Sequence, residues 1–187
     1  MLICIFGQLM NGALGIKNDL PWQGEKFKML RSFDMNFFKE ITIGKDIVMG
    51  SKTWESLNCK PLPNRGKHFI LTNRTVITDF SNQIIWLSLN DFKNYYKINL
   101  EKEFVVIGGS QIYNQLIPDC DIVYQTIYYP YSSKIYTEVE SDPSTVYINK
   151  ELLSVLQDTE KYIGKKIGGC QYNDDALTIS KYTKIKH

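Results

Sequence analysis

Short apolar runs with few interruptions recur along this chain and restrict its fold more than any other feature of the sequence. A strand buried on one face alternates apolar and polar residues, whereas a strand buried on both faces does not need to. Most of the runs here are continuous, which predicts a largely parallel sheet that is covered on both faces. The predicted strands are LICIFGQL (2–9), DIVMG (46–50), HFILT (68–72), QIIWLS (83–88), EFVVIG (103–108) and IVYQTIYY (122–129).

The segments between these strands suit short helices, and strands that alternate with helices are typical of α/β folds. The tail differs, because TEKYIGKK (159–166) and DALTISKYTKI (175–185) flank GGCQYND, which predicts an antiparallel hairpin. We therefore expect one α/β domain over residues 1–187, with a mostly parallel central sheet of about eight strands, a C-terminal antiparallel hairpin and about four flanking helices. The predicted helices cover residues 33–42, 52–57, 90–96 and 110–117.

Charge and cysteine usage exclude several classes of protein. The net charge is +2, from 22 basic and 20 acidic residues, which predicts no strong field for nucleic acid or a membrane surface. The four cysteines contain no C-x-x-C pair, so we expect reduced thiols and no metal site. The apolar N-terminus has no basic residue before it, unlike a signal peptide, and Gln8 and Asn11 make it a poor transmembrane helix. We expect a cytoplasmic monomer without nucleic-acid or membrane partners.

One carboxylate stands on the apolar face of a predicted helix. With Asp34 at zero on a helical wheel, Ile41 falls at about −20°, Phe38 at about +40° and Phe37 at about −60°. Aspartate is favoured at the N-cap and in the first turn, so Asp34 could cap the helix. Alternatively, it could face a ligand whose amidine-like edge offers two N–H donors for bidentate pairing. The two hypotheses are compatible and both remain open at this point.

Three strand ends have features of phosphate-binding sites. EFVVIGGSQIYNQLIP (103–118) and IVMGSKTWESL (47–57) each pass from a strand through glycine into a helix, whose N-terminus attracts phosphate. Neither is a G-x-G-x-x-G fingerprint, and the second is not a P-loop. LTNR (71–74) is a third strand end, with polar and basic residues. Each could be an ordinary turn or capped helix, but three together indicate a dinucleotide lying across the sheet edge.

Taken together, these segments resemble dihydrofolate reductases, and the match is collinear through nearly the whole chain. The resemblance implies an oxidoreductase that reduces 7,8-dihydrofolate to 5,6,7,8-tetrahydrofolate with NADPH, by hydride transfer to C6 and protonation at N5. It also implies a role in one-carbon metabolism and thymidylate synthesis, and a target for antifolates. The matching segments are ALGIKNDLPW (13–22), FFKEIT (37–42) after Asp34, IVMGSKTWESL (47–57), PLPNR (61–65), VVIGGSQIY (105–113) and VYQTIYY (123–129).

The resemblance implies three catalytic residues. Asp34 would bind the 2-amino group and N3 of the pterin, Thr126 would support it through a water or the 2-amino group, and Trp22 would hold an ordered water. Water would protonate N5, with Asp34 polarising the ring. Arg65 would clamp the glutamate α-carboxylate with its guanidinium fork. The implied substrate-binding residues are Ile5, Leu20, Asp34, Met35, Phe38, Leu57, Leu62, Arg65, Ile107, Tyr113 and Thr126.

The resemblance also implies the cofactor site. Gly7 and the loop 14–22 would cover the nicotinamide, and this loop would act as a mobile lid that excludes water. Lys52 and Arg74 would favour NADPH over NADH by binding phosphate, and a cis Gly108–Gly109 peptide would lie beside the pyrophosphate. The implied cofactor-binding residues are Gly7, Leu14, Gly15, Ile16, Gly50, Ser51, Lys52, Thr53, Leu71, Thr72, Asn73, Arg74, Ile107, Gly108, Gly109, Ser110, Gln111, Ile112 and Tyr113.

Several departures from the family pattern surround this site. The segment 23–33 is longer than in compact bacterial members, and we expect its Phe27, Met29 and Leu30 to pack beside the cleft and alter its mouth. The remaining departures are Gly7 in place of the usual alanine, Asn64 and Ser110 in place of frequent glycines, and an extra residue after Arg65.

Alternative functions share part of this pattern. Another NADPH-dependent reductase of the same fold, such as the pyrimidine reductase of riboflavin synthesis, would keep the glycine turns but lack the LPW segment and the Asp-x-x-x-Phe-Lys pattern. A non-catalytic nucleotide-binding relic would not need Asp34, Trp22 and Thr126 together. We expect a complete domain, with a segment of a fusion to thymidylate synthase as the alternative.

Overall fold

A computed structural model of the chain describes residues 1–17, 19–75 and 78–185. Its main feature is an eight-stranded sheet in the order β5-β4-β3-β6-β1-β7-β10-β9. The strands are β1 (Leu2–Leu9), β2 (Ala13–Gly15), β3 (Asp46–Gly50), β4 (His68–Leu71), β5 (Ile84–Leu87), β6 (Phe104–Gly108), β7 (Ile122–Tyr129), β8 (Val146–Tyr147), β9 (Tyr162–Tyr172) and β10 (Asp175–Lys184). The helices are α1 (Lys28–Thr42), α2 (Ser51–Ser56), α3 (Leu89–Lys97), α4 (Ser110–Leu116), α5 (Lys134–Ser141) and α6 (Lys150–Gln157), with 3₁₀ turns at Glu25–Phe27 and Ile117–Asp119.

The sheet is mostly parallel, and the predicted α/β class is confirmed. The pairs from β5 through β4, β3, β6 and β1 to β7 are all parallel, whereas β10 runs antiparallel to both β7 and β9. The β9–β10 hairpin turns at Asn173, whose positive φ of 54° is one that asparagine tolerates. The predicted hairpin is present, and its first strand extends to Tyr172, beyond the predicted boundary.

Both faces of the sheet are covered, which explains the continuous apolar runs. Along β1, Leu2, Cys4 and Phe6 join one buried cluster, while Ile3 and Ile5 join another on the opposite face. Side chains in a strand alternate between faces, so a strand with apolar cover on both sides needs apolar residues at successive positions. A third cluster packs around Trp22, Phe27, Leu30 and Tyr128.

The prediction of about four helices was too low, because the described residues contain six α-helices. α5 and α6 were missed although both have an apolar stripe, since α5 buries Ile135 and Val139 four residues apart. Asn149 also caps α6 by accepting a hydrogen bond from the Glu151 backbone N–H. Within the ranges that the structure describes, no helix is long and apolar enough to cross a membrane.

A second, two-stranded sheet anchors the start of the predicted lid. β2 pairs antiparallel with β8, with Ala13 opposite Tyr147. The Lys17 backbone N–H donates to Ser144 Oγ at 3.0 Å, beyond this short sheet. The first part of the 14–22 loop is therefore attached to the segment that follows α5.

Candidate active site

The three predicted phosphate-binding stretches lie side by side in the structure. They follow β4, β3 and β6, which are consecutive strands in the sheet. The register places Gly50 opposite Leu71 and Met49 opposite Gly108, so all three strands end at nearly the same level. Two of them lead directly into helices, α2 after Gly50 and α4 after Gly109. Ligands of open α/β sheets bind beyond the carboxyl ends of the strands, so this edge is a candidate ligand site.

Asp34 does not cap its helix, so that hypothesis was wrong. α1 begins at Lys28 rather than at residue 33, which makes Asp34 its seventh residue. The N-cap is Phe27, which has no capping side-chain hydrogen bond. Asp34 is 9% exposed and lies one turn after the fully buried Leu30. The carboxylate therefore sits on the buried face of the helix, as the wheel predicted.

Two hydroxyl groups hold the Asp34 carboxylate. Thr126 Oγ1 donates to Oδ1 at 2.7 Å, and Tyr128 Oη donates to Oδ2 at 2.9 Å. Burial raises the pKa of Asp34, and the hydrogen bonds from Thr126 and Tyr128 partly oppose that rise. Each carboxylate oxygen can accept more than one hydrogen bond. The group can thus still receive a ligand that presents two N–H donors.

Tyr128 was absent from the set of site residues predicted from the sequence. A strand places residues two apart on the same face, so Tyr128 shares a face of β7 with Thr126. This period of two was the available signal. The Tyr128 ring stacks on Trp22, with centroids 4.3 Å apart and planes inclined by 17°. Trp22 is 2% exposed, so the end of the 14–22 loop is buried against the group that binds Asp34.

The apolar residues predicted to contact substrate fall into two groups. Leu20 and Met35 line one cavity of about 350 Å³, together with Trp22, Tyr128 and several polar residues. Phe38, Leu57 and Ile107 are half-buried and pack against the cluster that contains Ile5. Leu20 and Met35 are 37% and 41% exposed, so they are available to a ligand.

Arg65 contacts the C-terminal end of α1. Its Nε and Nη2 atoms both donate to Thr42 Oγ1, at 3.1 and 2.6 Å, and Nη1 donates to the Pro63 carbonyl at 2.6 Å. Partial burial lowers the pKa of this guanidinium, and its side chain is half-buried. Asn64 has a φ of 59°, which explains why a glycine is frequent at this position of the family loop.

The buried His68 positions the adjacent loop 61–65. It is 0% exposed, and its Nε2 accepts a hydrogen bond from the Leu62 backbone N–H at 2.9 Å. Burial lowers the pKa of His68, because a charged imidazole is disfavoured away from water. A neutral ring is also what the interaction requires, because a protonated imidazole has no acceptor nitrogen. Sequence reasoning did not identify this residue.

The backbone beside the third strand end closely approaches its neighbours. The Gly108–Gly109 peptide is cis, and Gly108 has a φ of +118°. A Cβ on Gly108 would lie 2.9 Å from Tyr113 Oη, which itself donates to the Ile5 carbonyl at 3.1 Å. A Cβ on Gly109 would lie 3.4 Å from Thr53 Oγ1. The α2 and α4 N-termini are therefore adjacent, with two glycines between them.

Not all predicted cofactor residues offer a side chain to this edge. The side chains of Leu14, Leu71 and Ile112 belong to the buried cluster on one face of the sheet, and Ile16 belongs to the cluster around Trp22. Such residues could meet a cofactor only through their backbone. Exposed or half-exposed side chains remain at Ser51, Lys52, Thr53, Thr72, Asn73, Arg74, Ser110 and Gln111, and the backbone is partly exposed at Gly15 and Gly50.

The long segment 23–33 contributes both to the core and, through Lys28 and Arg31, to the lining of the cavity that Tyr128 borders. Phe27 and Leu30 are 2% and 0% exposed in the cluster that contains Trp22 and Tyr128, whereas Met29 is 53% exposed. The expectation of three apolar residues beside the cleft was thus wrong for Met29. The segment adds a 3₁₀ turn and the first turns of α1, which carry Asp34 away from the helix N-terminus.

Comparison with known proteins identifies the family. A family model described as dihydrofolate reductase matches residues 1–167. The dihydrofolate reductase of Bacillus subtilis is 35% identical over 163 residues, covering 86% of this chain and 86% of that protein. The bifunctional dihydrofolate reductase-thymidylate synthase of Paramecium tetraurelia is 31% identical over 172 residues, which are 90% of this chain but 32% of that protein.

A solved structure supports the fold independently. It is a dihydrofolate reductase from Enterococcus faecalis complexed with NADP(H) and RAB-propyl, with a TM-score of 0.71 and 24% identity, and the match covers 100% of this chain and 97% of that one. The family and fold class predicted from the sequence are confirmed. The chain belongs to the dihydrofolate reductase family of enzymes.

Proposed function

We propose that this enzyme reduces 7,8-dihydrofolate to 5,6,7,8-tetrahydrofolate with NADPH, by hydride transfer to C6 and protonation at N5. The observation that carries the proposal is the buried Asp34 carboxylate, which accepts hydrogen bonds from two hydroxyls. Its neighbour Met35 and its partner Tyr128 both line a cavity of about 350 Å³. A buried carboxylate is costly for a fold, so its presence here favours a ligand-binding role. The curated relatives named above carry the same activity in their names.

Asp34 is proposed to anchor the pterin. The 2-amino group and N3–H of a pterin form an edge with two donors, and an ionised carboxylate can accept both in a bidentate pair. Met35, Phe38 and Leu57 would provide apolar contacts for the flat ring system and the benzoyl group. The lid residues Leu20 and Trp22 border the same cavity as Met35. The orientation of the pterin would then follow from one charged contact and several apolar ones.

Arg65 is proposed to hold the other end of the substrate. Thr42, which contacts the guanidinium, lies eight residues after Asp34 on α1, a separation of about 12 Å along the helix axis. Arginine presents a planar fork that matches a carboxylate. The proposed anchors therefore suit a ligand with a hydrogen-bonding heterocycle at one end and a carboxylate at the other.

The three strand ends fit a phosphorylated dinucleotide. A Cβ at Gly108 or Gly109 would fill the space beside Tyr113 and Thr53, and two helices begin at this edge. Helix N-termini attract phosphate groups. Lys52 and Arg74 would add positive charge for the 2′-phosphate that distinguishes NADPH from NADH. When bound, the reduced nicotinamide supplies the hydride for C6.

The residues of the chain would contribute orientation, exclusion of water and polarisation. Asp34 is proposed to remain the charged partner of the pterin and to polarise it, while the proton for N5 comes from water. Trp22 is proposed to orient such a water, and the 14–22 lid would close over the reacting rings. Thr126 keeps Asp34 Oδ1 in place through its 2.7 Å hydrogen bond.

A spectrophotometric assay tests the proposal. The purified protein is mixed with NADPH and 7,8-dihydrofolate, and the loss of NADPH absorbance is followed, with NADH as the cofactor control. We expect rapid oxidation with dihydrofolate and a strong preference for NADPH. Oxidation only with the pyrimidine substrate of riboflavin synthesis would favour the pyrimidine reductase alternative. Nucleotide binding without turnover of either substrate would favour the non-catalytic alternative.

We also propose that the chain acts as a single cytoplasmic domain and as a monomer. Its eight-stranded sheet extends from Leu2 to Lys184, which supports one domain. All four cysteines are free, as is usual in reducing compartments. Sedimentation equilibrium tests the monomer, and fractionation of the source cells tests the location.

A further inference from the structure

Tyr128 occupies a position from which it can control the geometry of Asp34. Its hydroxyl donates to Oδ2 at 2.9 Å, while Thr126 donates to Oδ1 at 2.7 Å. Both bonds are buried and join residues more than ninety positions apart in the chain. One hydroxyl on each oxygen restricts rotation of the carboxylate about its χ2 bond. It also leaves further lone pairs on both oxygens for a ligand.

The ring of Tyr128 is itself held in place. It stacks on Trp22 with centroids 4.3 Å apart, and it is 0% exposed. The stack requires space beside both rings, where Gly7 lies. A Cβ on Gly7 would come within 3.0 Å of Trp22 Cζ2 and 3.7 Å of Tyr128 Cε2. The glycine at position 7, where the family usually has alanine, is thus matched to the Trp22–Tyr128 stack.

We propose that Tyr128 is a positioning residue for this enzyme, which orients the Asp34 carboxylate for bidentate binding and connects it to Trp22 at the end of the lid. The proposal deepens the proposed function and rests on it for the identity of the ligand. A carboxylate held in advance loses less freedom when a ligand binds, which strengthens binding. Without the hydroxyl, Oδ2 would keep its burial but lose its donor.

The hydroxyl of Tyr128 acts as a donor and not as a base. Burial, followed by the nearby Asp34 charge, raises the pKa of Tyr128 far above its ordinary value, so the phenol stays protonated. The bond stabilises the ionised form of Asp34, which opposes the effect of burial on the pKa of that carboxyl. Loss of the hydroxyl should therefore raise the pKa of Asp34.

Among the described residues, the other titratable groups around this pair lie on α1, α5 and β9. Lys28, Arg31 and Lys39 of α1 line the cavity that Tyr128 borders. Tyr136 of α5 and Cys170 of β9 pack at the edge of the surrounding cluster. On β10, the residues opposite Thr126 and Tyr128 are the apolar Ile179 and Leu177.

The test compares Tyr128→Phe with Tyr129→Phe. The control removes a hydroxyl from the next residue of β7, where it contacts Thr178 Oγ1 at 3.3 Å and not Asp34. The Asp34 carboxyl is titrated by ¹³C NMR in each ligand-free protein, and kcat/KM is measured across pH with NADPH and dihydrofolate. We expect Tyr128→Phe to raise the Asp34 pKa and therefore to move the acidic limb of the kcat/KM profile to higher pH. It should also lower kcat/KM at neutral pH about tenfold. The control should match the wild type.

A second substitution keeps the test decisive if Tyr128→Phe folds poorly. Incorporation of 3-fluorotyrosine at position 128 nearly preserves the ring size and makes the hydroxyl a stronger donor, so the Asp34 pKa should fall. If the Asp34 titration and the pH profile are unchanged in both proteins, the proposal is overturned. The NMR titration needs no substrate, so it decides the role of Tyr128 even if the wild type fails to reduce dihydrofolate. Such a failure would count against the proposed function alone.

Discussion

Replacement of Asp34 by asparagine removes the charge from the proposed pterin anchor and nearly preserves its shape. The carboxylate now accepts one hydrogen bond on each oxygen, from Thr126 at 2.7 Å and from Tyr128 at 2.9 Å. Asparagine keeps one acceptor oxygen but places an NH₂ group where the second oxygen was. One of the two ligand donors would then meet another donor.

The expected loss of activity follows from these two contacts. A hydrogen bond to a charged group contributes about 1.5–3 kcal/mol. Asp34→Asn removes one such bond to the ligand and weakens the other, so we expect a loss of about 3–5 kcal/mol in transition-state stabilisation. This corresponds to a fall of about 10²–10⁴-fold in kcat/KM at neutral pH. At low pH, where the substrate can arrive already protonated, activity should recover in part.

Asp34→Asn should increase folding stability near neutral pH, although it lowers activity. Burial raises the pKa of Asp34 above the ordinary value of 3.8, so the native state binds this proton more tightly than the unfolded chain does. That contribution to stability is fully present below the unfolded pKa and is lost as pH rises through the folded pKa. Asparagine does not titrate, so the variant should become more stable relative to the wild type as pH rises toward neutrality. A site that sacrifices stability for binding is expected to behave in this way.

Two assays check this reasoning, with Glu40→Gln as the control on the exposed side of the same helix. NADPH oxidation with dihydrofolate is measured from about pH 5 to 8, and urea unfolding is measured from about pH 3.5, below the ordinary pKa of 3.8, to about pH 8. Glu40→Gln should change neither result appreciably. If Asp34→Asn had the same kcat/KM as the wild type, the proposed role of Asp34 as the pterin anchor would be refuted. A stability difference that does not vary with pH would refute the argument from burial.

Three further predictions concern other parts of the structure. Gly108→Ala should lower both NADPH affinity and Tm, since φ is +118° and the new methyl would lie 2.9 Å from Tyr113 Oη; unchanged titration calorimetry and melting would contradict this. Leu30→Ala should lower the free energy of unfolding by about 2–5 kcal/mol, because Leu30 is 0% exposed, whereas the matched Met29→Ala at a 53% exposed position should cost little in urea unfolding. His68 has a lowered pKa, so the unfolded chain binds its proton more readily and the wild type should lose stability as pH falls below the ordinary value of 6.5. His68→Gln should make the free energy of unfolding less dependent on pH below that value. An unchanged pH dependence in the variant would show that protonation of His68 is not the cause.

Features that depend on the local order of residues were predicted accurately from the sequence. The strands of the parallel sheet were predicted nearly to their ends, because burial on both faces leaves a continuous apolar run. The wheel placed Asp34 on the buried face of its helix, since the period of 3.6 residues holds wherever the helix begins. It could not place the helix start, because Phe27 provides no capping side chain to mark the boundary at Lys28.

The sequence by itself determined the family, the α/β class and the position of Asp34 on an apolar face, because motif spacing and periodicity are properties of neighbouring residues. Only the tertiary structure decided what holds that carboxylate. The hydrogen bond between Tyr128 and Asp34 joins residues 94 positions apart, and its geometry depends on how α1 packs across β7. The Trp22–Tyr128 stack likewise depends on the space left at Gly7, which no local pattern records. Contacts between distant segments arise from packing, and packing is decided by the whole chain at once.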